Sequence, residues 1–460
     1  MKVSASTARP TFRDPAGSLR IVGDRVLRTV HPEFAEDCLS FLQSETAHEW
    51  IASGKLVDTR ILYQTPGRRL ELEHKRVAFP SYPWEWTPGQ WISAAELTLD
   101  FAEQQIAIGR VLKDATPLNI LFEGSRPVFV DVLSTESRDL NDPLWLAYGQ
   151  FVRTFLLPLA ALKYLGWPLT SSLTRRDGYE PNQLYPHLSA FRRSLPPLLS
   201  LVTIPNLFQH HGGASSSHKM RQHPEVAASL HRRRLRKLRR VVRELAPKLG
   251  GSRWSRYPET ADHYAQADRA QKVAFLKSAL ANSRSRYVLD IGANTGEYSR
   301  LAAQSGANVV ALDTDVCAAE INWQLAASGN LPILPLVSDI ARPTPALGWR
   351  NSESASLLDR ARGRFDCVMM LGVIHHLLLV DQIPLPEIAQ LLAEFTTKFA
   401  IVEWVPASDL RFRDLCCGRD ALYGHLDESV FLQSFSQVFS TVLRQPLNNG
   451  RVLFMFERNT

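Results

Sequence analysis

From residue 287 onward the chain alternates short apolar runs with longer stretches in which apolar residues recur every three or four positions. The first pattern predicts buried strands and the second amphipathic helices. Strands are expected at 287–291, 308–312, 331–337, 365–371 and 399–405, with helices at 297–305, 317–327 and 384–396 between them. A helix at 267–280 leads into the first strand, and two further strands near 440–443 and 451–456 close the series as an antiparallel hairpin. Such alternation predicts an α/β, Rossmann-like fold. A mostly parallel sheet of seven strands would carry helices on both faces, with ligands off the carboxyl ends of the strands.

The front of the chain has a different rhythm. Residues 17–30 read as a hairpin turning at Gly23-Asp24, followed by a helix over 32–55 marked by Phe34, Cys38, Phe41, Leu42 and Trp50. Strand-like segments at 56–64 and 69–79 precede a Pro- and Trp-rich stretch, 82–88, that regular structure does not accommodate. A patterned helix is expected over 92–112, a hairpin around 123–126, and core helices over 143–169, where Arg153 and Lys163 interrupt the apolar run. That run falls short of the ~20 residues a bilayer requires, so no transmembrane segment is expected. Residues 205–223 become polar, with Gly212, Gly213 and four histidines (His210, His211, His218, His223) that read as solvated loop, not as metal ligands. The predicted organisation is an α+β domain at 1–204, a linker with a basic helix at 205–252, and the α/β domain at 253–460.

Composition narrows this picture little. The chain has 460 residues, 45% hydrophobic and 22% charged, which suits two globular cores. Five scattered cysteines argue for a reducing compartment, and residues 1–20 carry charges and two prolines but no apolar run, so a cytoplasmic location is expected. The net charge of +7 is more telling, because Arg232, Arg233, Arg234, Arg236, Lys237, Arg239, Arg240 and Arg243 crowd into one segment. Leu235, Leu238, Val242 and Leu245 recur among them at helical spacing. The helix can be a connector with its arginines in water, or a surface for RNA phosphates, an anionic membrane or an acidic partner. No aromatics interleave to stack on exposed bases.

The candidate chemistry gathers after the first strand of the α/β domain. Asp290 ends a buried run, and Gly292, Ala293, Asn294 and Gly296 form a turn into the next helix. Glycines there permit positive φ and close approach of a ligand to bare backbone, while the helix start offers free N–H groups to a nucleotide-like cofactor. Asp313 ends the second strand about 20 residues on, where an acid binds ribose hydroxyls, with Asp315 as a fallback. To this point a nicotinamide enzyme would serve equally well.

Three further features separate the classes. The Asp290–Tyr298 stretch resembles motif I of class I S-adenosylmethionine-dependent methyltransferases. Asp339, after Val337-Ser338, matches the acid that contacts the adenine amino group in that family, and Phe365 to Leu377 resembles its fourth-strand motif. The resemblance implies S-adenosylmethionine as cofactor, with Gly292, Asn294 and Gly296 at its methionine end and Leu371 and Gly372 lining it by backbone. His376 and His375, past the fourth strand, are candidate catalytic bases. Glu403, a carboxylate inside an apolar strand, is a third candidate and requires a partner. Trp254-Ser255-Arg256-Tyr257, the Asn-Thr glycine turn, the His-His pair and Glu403-Trp404-Val405-Pro406 with Asp409 together resemble bacterial methyltransferases of the nodulation host-specificity type. Tyr264 joins Trp254 and Tyr257 in an aromatic segment that, by the same resemblance, overlies the cofactor pocket or packs on the sheet.

In the front domain, Asp114, Asn119 and Asp131 are spaced like the catalytic loop and metal-binding strand of protein kinases and aminoglycoside-type phosphotransferases. The resemblance implies that Asp114 is the catalytic-loop acid, with Asn119 and Asp131 as magnesium ligands for Mg-ATP. Arg28 would stand in for the strand lysine, with Glu45 as its partner. Leu112-Lys113 replaces the usual residues before the acid, Val132-Leu133 follows Asp131, and no glycine-rich phosphate loop precedes. A degenerate kinase-like domain, an unrelated α+β domain and an active phosphotransferase all fit this sequence. The expected function is methyl transfer to a small molecule, glycan or natural product. The alternatives are an RNA-directed methyltransferase using the basic helix and a bifunctional protein with an ATP-binding front domain.

Overall fold

The computed structural model describes residues 13–63, 69–208, 222–248, 250–252 and 266–459. Two units divide the chain: residues 1–248 with 347–354, and residues 249–346 with 355–460.

In the first unit, β1 (Gly17–Val22), β2 (Arg25–Val30), β3 (Thr59–Tyr63) and β4 (Leu70–His74) form an antiparallel sheet in the order β1-β2-β4-β3. Two small hairpin pairs follow: β5 (Arg110–Leu112) with β8 (Thr135–Ser137), and β6 (Ile120–Glu123) with β7 (Arg126–Phe129). The helix expected over 32–55 is two helices, Pro32–Leu42 and Glu45–Ala52, because the Ser44 hydroxyl accepts the Ala47 N–H and starts a new one. The helix expected over 92–112 is Pro88–Ala107. Thr87 caps it, Gly109 at φ +76° ends it, and Arg110–Leu112 leaves as a strand.

The basic helix, Pro224–Leu245, belongs to this first unit and not to a separate linker. It packs on Pro88–Ala107, burying Ala227, Leu235, Leu238, Val242 and Leu245. Each buried leucine contributes about 2 kcal/mol of apolar transfer. Arg239 pairs with Asp100 (2.7 Å) and Glu103 (2.9 Å), and Arg243 with Glu96 (3.1 Å).

In the second unit, β9 (Tyr287–Ile291), β10 (Asn308–Asp313), β11 (Ile333–Val337), β12 (Phe365–Met370) and β13 (Thr396–Trp404) run parallel. β14 (Phe439–Pro446) and β15 (Val452–Arg458) complete a seven-stranded sheet in the order β11-β10-β9-β12-β13-β15-β14, with β15 antiparallel to both neighbours. The chain winds outward from β9 in both directions, so the crevice at the carboxyl end of β9 is the topological switch point. The central strands are buried on both faces, as their near-continuous Val, Ile, Leu and Met content dictates. The helix Gln266–Ser283 lays Phe275, Leu276, Ala279 and Leu280 on one face of the sheet. Among the described residues no helix is long and apolar enough to cross a membrane.

Candidate functional site

The turn after β9 is held by its glycines and by β10. Gly292 (φ +75°), Asn294 (φ +50°) and Gly296 (φ +78°) occupy the left-handed region. A Cβ at Gly292 would overlap the Val373 side chain, and one at Gly296 would overlap Asn322, so both positions also require the space. The Gly292 and Ala293 N–H groups donate to the Leu312 carbonyl (2.8 and 3.0 Å), and the Asn294 N–H donates to Asp313 Oδ2 (2.7 Å). The turn is thereby fastened to the strand that carries the expected ribose acid.

Asp313 also accepts the Asp315 N–H at Oδ1 (2.8 Å). Burial pushes its carboxyl above the usual range, opposed by these hydrogen bonds. Both oxygens accept from backbone N–H groups, and a carboxylate with about four lone-pair sites keeps capacity for a further donor. Asp315 itself caps the helix Val316–Ser328 through the Ala318 N–H. Asp290 lies beneath the turn, 2% exposed, accepting the Ser299 hydroxyl at 2.6 Å. Burial pushes its carboxyl up to about 6. Asp339, beyond β11, accepts the Ala341 N–H (2.8 Å) and pairs with Arg342 (2.9 Å).

At the end of β12, Leu371 is buried and Gly372 sits at φ +68°, where an added Cβ would lie 3.7 Å from Glu403 Oε2. The helix Ile374–Leu379 follows, with the His375 and His376 rings 4.4 Å apart. They differ in surroundings. His375 is 3% exposed, and desolvation, with smaller contributions from His376 and Arg451, lowers its ring to about 3, so it is neutral at physiological pH. His376 is half-buried.

Glu403 is fully buried and has the partners its position demanded. Lys272 Nζ lies 2.5 Å from Oε2 and Arg451 3.4 Å from Oε1; Arg451 also pairs with Asp409 at 2.8 Å. Lys272 sits 4.7 Å from the Tyr298 ring centroid, one residue into the helix Glu297–Gln304 that the glycine turn starts. Sequence reasoning missed Lys272 and Arg451. The signal for Lys272 was its place four residues before Leu276 on the buried stripe of its helix. The aromatic residues Trp254, Tyr257 and Tyr264, and His210, His211 and His218, lie outside the described residues.

In the first unit, Asp114, Asn119 and Asp131 do come together. Asn119 Nδ2 donates to the Asp114 carbonyl (3.2 Å) and to Ser134 Oγ (2.8 Å), whose hydroxyl donates to Asp131 Oδ2 (2.5 Å). Arg28 is buried and pairs with Asp131 at 2.8 Å, not with Glu45 as expected. It also donates to His74 Nε2 (3.1 Å), which puts the ring proton on Nδ1, facing Thr59 Oγ1 at 2.8 Å. His74 is lowered to about 3 by burial and by Arg28. Among the described residues no three His, Cys, Asp or Glu side chains converge as metal ligands.

Residues 231–427 match the family described as "Methyltransferase domain". The chain is 28% identical over 503 aligned residues to the nodulation protein NoeA of Rhizobium meliloti (strain 1021), covering 100% of this chain and 98% of that one. Among solved structures, the magnesium protoporphyrin IX methyltransferase ChlM of Synechocystis PCC 6803, with bound SAM, is 18% identical. It covers 46% of this chain and 86% of its own, with a TM-score of 0.31. The N-methyltransferase NodS of Bradyrhizobium japonicum WM9 is 14% identical and covers 42% and 98%, with a TM-score of 0.32.

Proposed function

We propose that this chain, whose C-terminal half is an S-adenosylmethionine-dependent methyltransferase domain, transfers a methyl group to a small molecule, glycan or natural product. The observation that carries the reading is the convergence of the Gly292–Gly296 turn, Asp313 and the His375–His376 pair at one carboxyl edge of the sheet. The donor set suits the cofactor. Asp313, held by backbone N–H groups at the end of its strand, would receive the two ribose hydroxyls. Gly292, Ala293, Asn294 and Gly296 would hold the methionine end with Leu371 and Gly372, and Asp339 would meet the adenine amine. S-adenosylmethionine supplies an activated methyl group on a sulfonium that is already a good leaving group.

The remaining work for the protein is alignment and proton removal. We assign the base to His376. His375, neutral and buried, packs against its neighbour's ring and keeps positive charge out of the helix start. Glu403, engaged at both oxygens, serves as the anchor of Lys272 and Arg451 instead of as a base. Asp290, bonded to Ser299 under the turn, braces the glycine loop.

A small-molecule or glycan acceptor is favoured over RNA because the basic helix buries its apolar stripe and carries no aromatic residue for base stacking. For the first unit we infer a role without Mg-ATP, since Arg28 and Ser134 already occupy both oxygens of Asp131. Calorimetry with S-adenosylmethionine tests the central reading. Asp313→Ala removes two charge-assisted hydrogen bonds of about 1.5–3 kcal/mol each, so affinity should fall at least about 100-fold. Unchanged affinity would overturn the placement of the ribose.

A further inference from the structure

We propose that the outer face of the basic helix, with the loop beside it, is a docking surface for an anionic lipid bilayer. The helix Pro224–Leu245 has two charged flanks with different fates. On one, Arg239 and Arg243 are answered by Glu96, Asp100 and Glu103. On the other, Val226, Leu230, Arg233, Lys237 and Arg240 follow one another at spacings of four, three, four and three, which aligns them in a single stripe about 21 Å long. All five are exposed, and among the described residues Arg233, Lys237 and Arg240 have no acidic partner; Arg232 and Arg236, in one row with Arg239 and Arg243 on the other flank, have none either.

The stripe does not stand alone. Arg234, four residues after Leu230 and three before Lys237, donates to the Pro143 carbonyl at 2.9 Å and lies over the Tyr148 ring. His231 meets the Asp142 carbonyl at 3.1 Å. These contacts hold the loop along the same flank, and the loop exposes Leu144 (48%) and Leu146 (84%), with Leu140 also in water. Its acids are tied to loop backbone: Asp139, exposed, accepts the Asn141 N–H, and Asp142, half-buried, the Leu144 N–H.

Leucines beside unanswered cations distinguish the occupant. A polyphosphate such as RNA would use the arginines and leave the leucines in water. An anionic bilayer uses both, with cations on lipid phosphates and leucines among the headgroups and upper acyl chains. The apolar stripe of the helix is already buried in its own unit, so the surface lies on the membrane and does not insert as a helix.

Cosedimentation of the full chain with vesicles tests this. Binding is expected to phosphatidylcholine vesicles containing phosphatidylglycerol, to weaken with added salt, and to be absent from phosphatidylcholine alone. Arg233→Gln with Lys237→Gln should lower the partition coefficient roughly thirty-fold. Leu144→Ser with Leu146→Ser should lower it roughly ten-fold and leave the salt dependence in place. Unaltered S-adenosylmethionine binding in the other unit, together with unaltered protease resistance of the first unit, checks that both variants fold. Equal binding to both vesicle types would overturn the proposal. So would an RNA affinity that falls in the Arg233/Lys237 variant, ignores the leucine variant and is accompanied by no vesicle binding.

Discussion

Asp290→Asn should make the second unit more stable at neutral pH, by an amount that depends on pH in a defined direction. The carboxyl is 2% exposed and its ordinary value of 3.8 is raised to about 6, chiefly by burial. Between those values the folded chain holds a proton that the unfolded chain has released, so stability falls as pH rises through this window. About two pH units correspond to about 3 kcal/mol, fully felt above pH 7 and absent below pH 4. Asparagine keeps the shape and still accepts the Ser299 hydroxyl through its amide oxygen.

The gap between Asp290→Asn and the wild type should therefore open from near zero at pH 4 to about 3 kcal/mol at pH 7.5. His375 titrates with the opposite sign. Its folded value of about 3 lies below the ordinary 6.5, so its contribution is lost as pH falls through that range. It is present in both proteins and cancels in the difference. Peroxide oxidation of Met369, Met370 and Met455 across a urea series gives the readout. All three are buried in the second unit's sheet, Met369 directly beside Asp290 in register, so their oxidation reports that unit alone. Parallel pH profiles for the two proteins would refute the reasoning.

Lys272→Met removes the closer of the two cations paired with buried Glu403, at 2.5 Å against 3.4 Å for Arg451, and should cost about 3–5 kcal/mol in the same assay. Adding Glu403→Gln should recover most of that loss, and strictly additive losses would contradict the buried pair. Gly292→Ala should abolish S-adenosylmethionine binding through overlap with Val373, and Val373→Ala should restore part of it in calorimetry. The remaining deficit is the roughly 1–2 kcal/mol of a positive φ on a residue with a Cβ. Absence of any rescue would place the conflict elsewhere. Arg28→Met strips Asp131, whose carboxyl Arg28 helps hold below the usual range, and should destabilise the first unit by about 3–5 kcal/mol at pH 7. The deficit should shrink as pH falls and Asp131 takes a proton, read by thiol labelling of buried Cys38 under urea; a deficit constant with pH would count against the pair.

Much of the second unit was legible because its signals are local. Each strand from β9 to β13 is a short apolar run ended by a turn or an acid, so the positions of Asp290, Asp313, Gly372 and Glu403 on one edge follow from the strand ends alone. The need of Glu403 for a partner was also legible from its apolar neighbours. The identity of that partner was not. Lys272 is 131 residues away and Arg451 48, and only sheet order and helix packing bring them together. In the first unit the expected helices were too long because a single residue, Ser44 as a cap or Gly109 at positive φ, outweighed an apolar periodicity that continues past it. Arg28 illustrates the limit from the other side. Its burial on β2 was unreadable from Arg25–Val30, since the acid and histidine that tolerate it come from β4 and the turn after β7.

The charged residues at the carboxyl edge of the second sheet fall into two groups. Asp290, Asp313, Glu403 and Asp409 are four carboxylates, and Lys272 and Arg451 are the two buried cations set among them. The cations pair with Glu403 and Asp409, whereas Asp290 and Asp313, under and beside the glycine turn, accept from a hydroxyl and from backbone N–H groups, with the Lys272 charge also lowering Asp290. Burial outweighs these partners and raises both of their pKa values, so each charged carboxylate is held at a cost to the folded state. Carboxylates perturbed by burial in this way concentrate at working sites. On the proposed reading the compensation arrives with the cofactor, whose sulfonium and amino group are cationic and whose ribose offers two hydroxyl donors. On the same reading the turn from Gly292 to Gly296 would seat its methionine end.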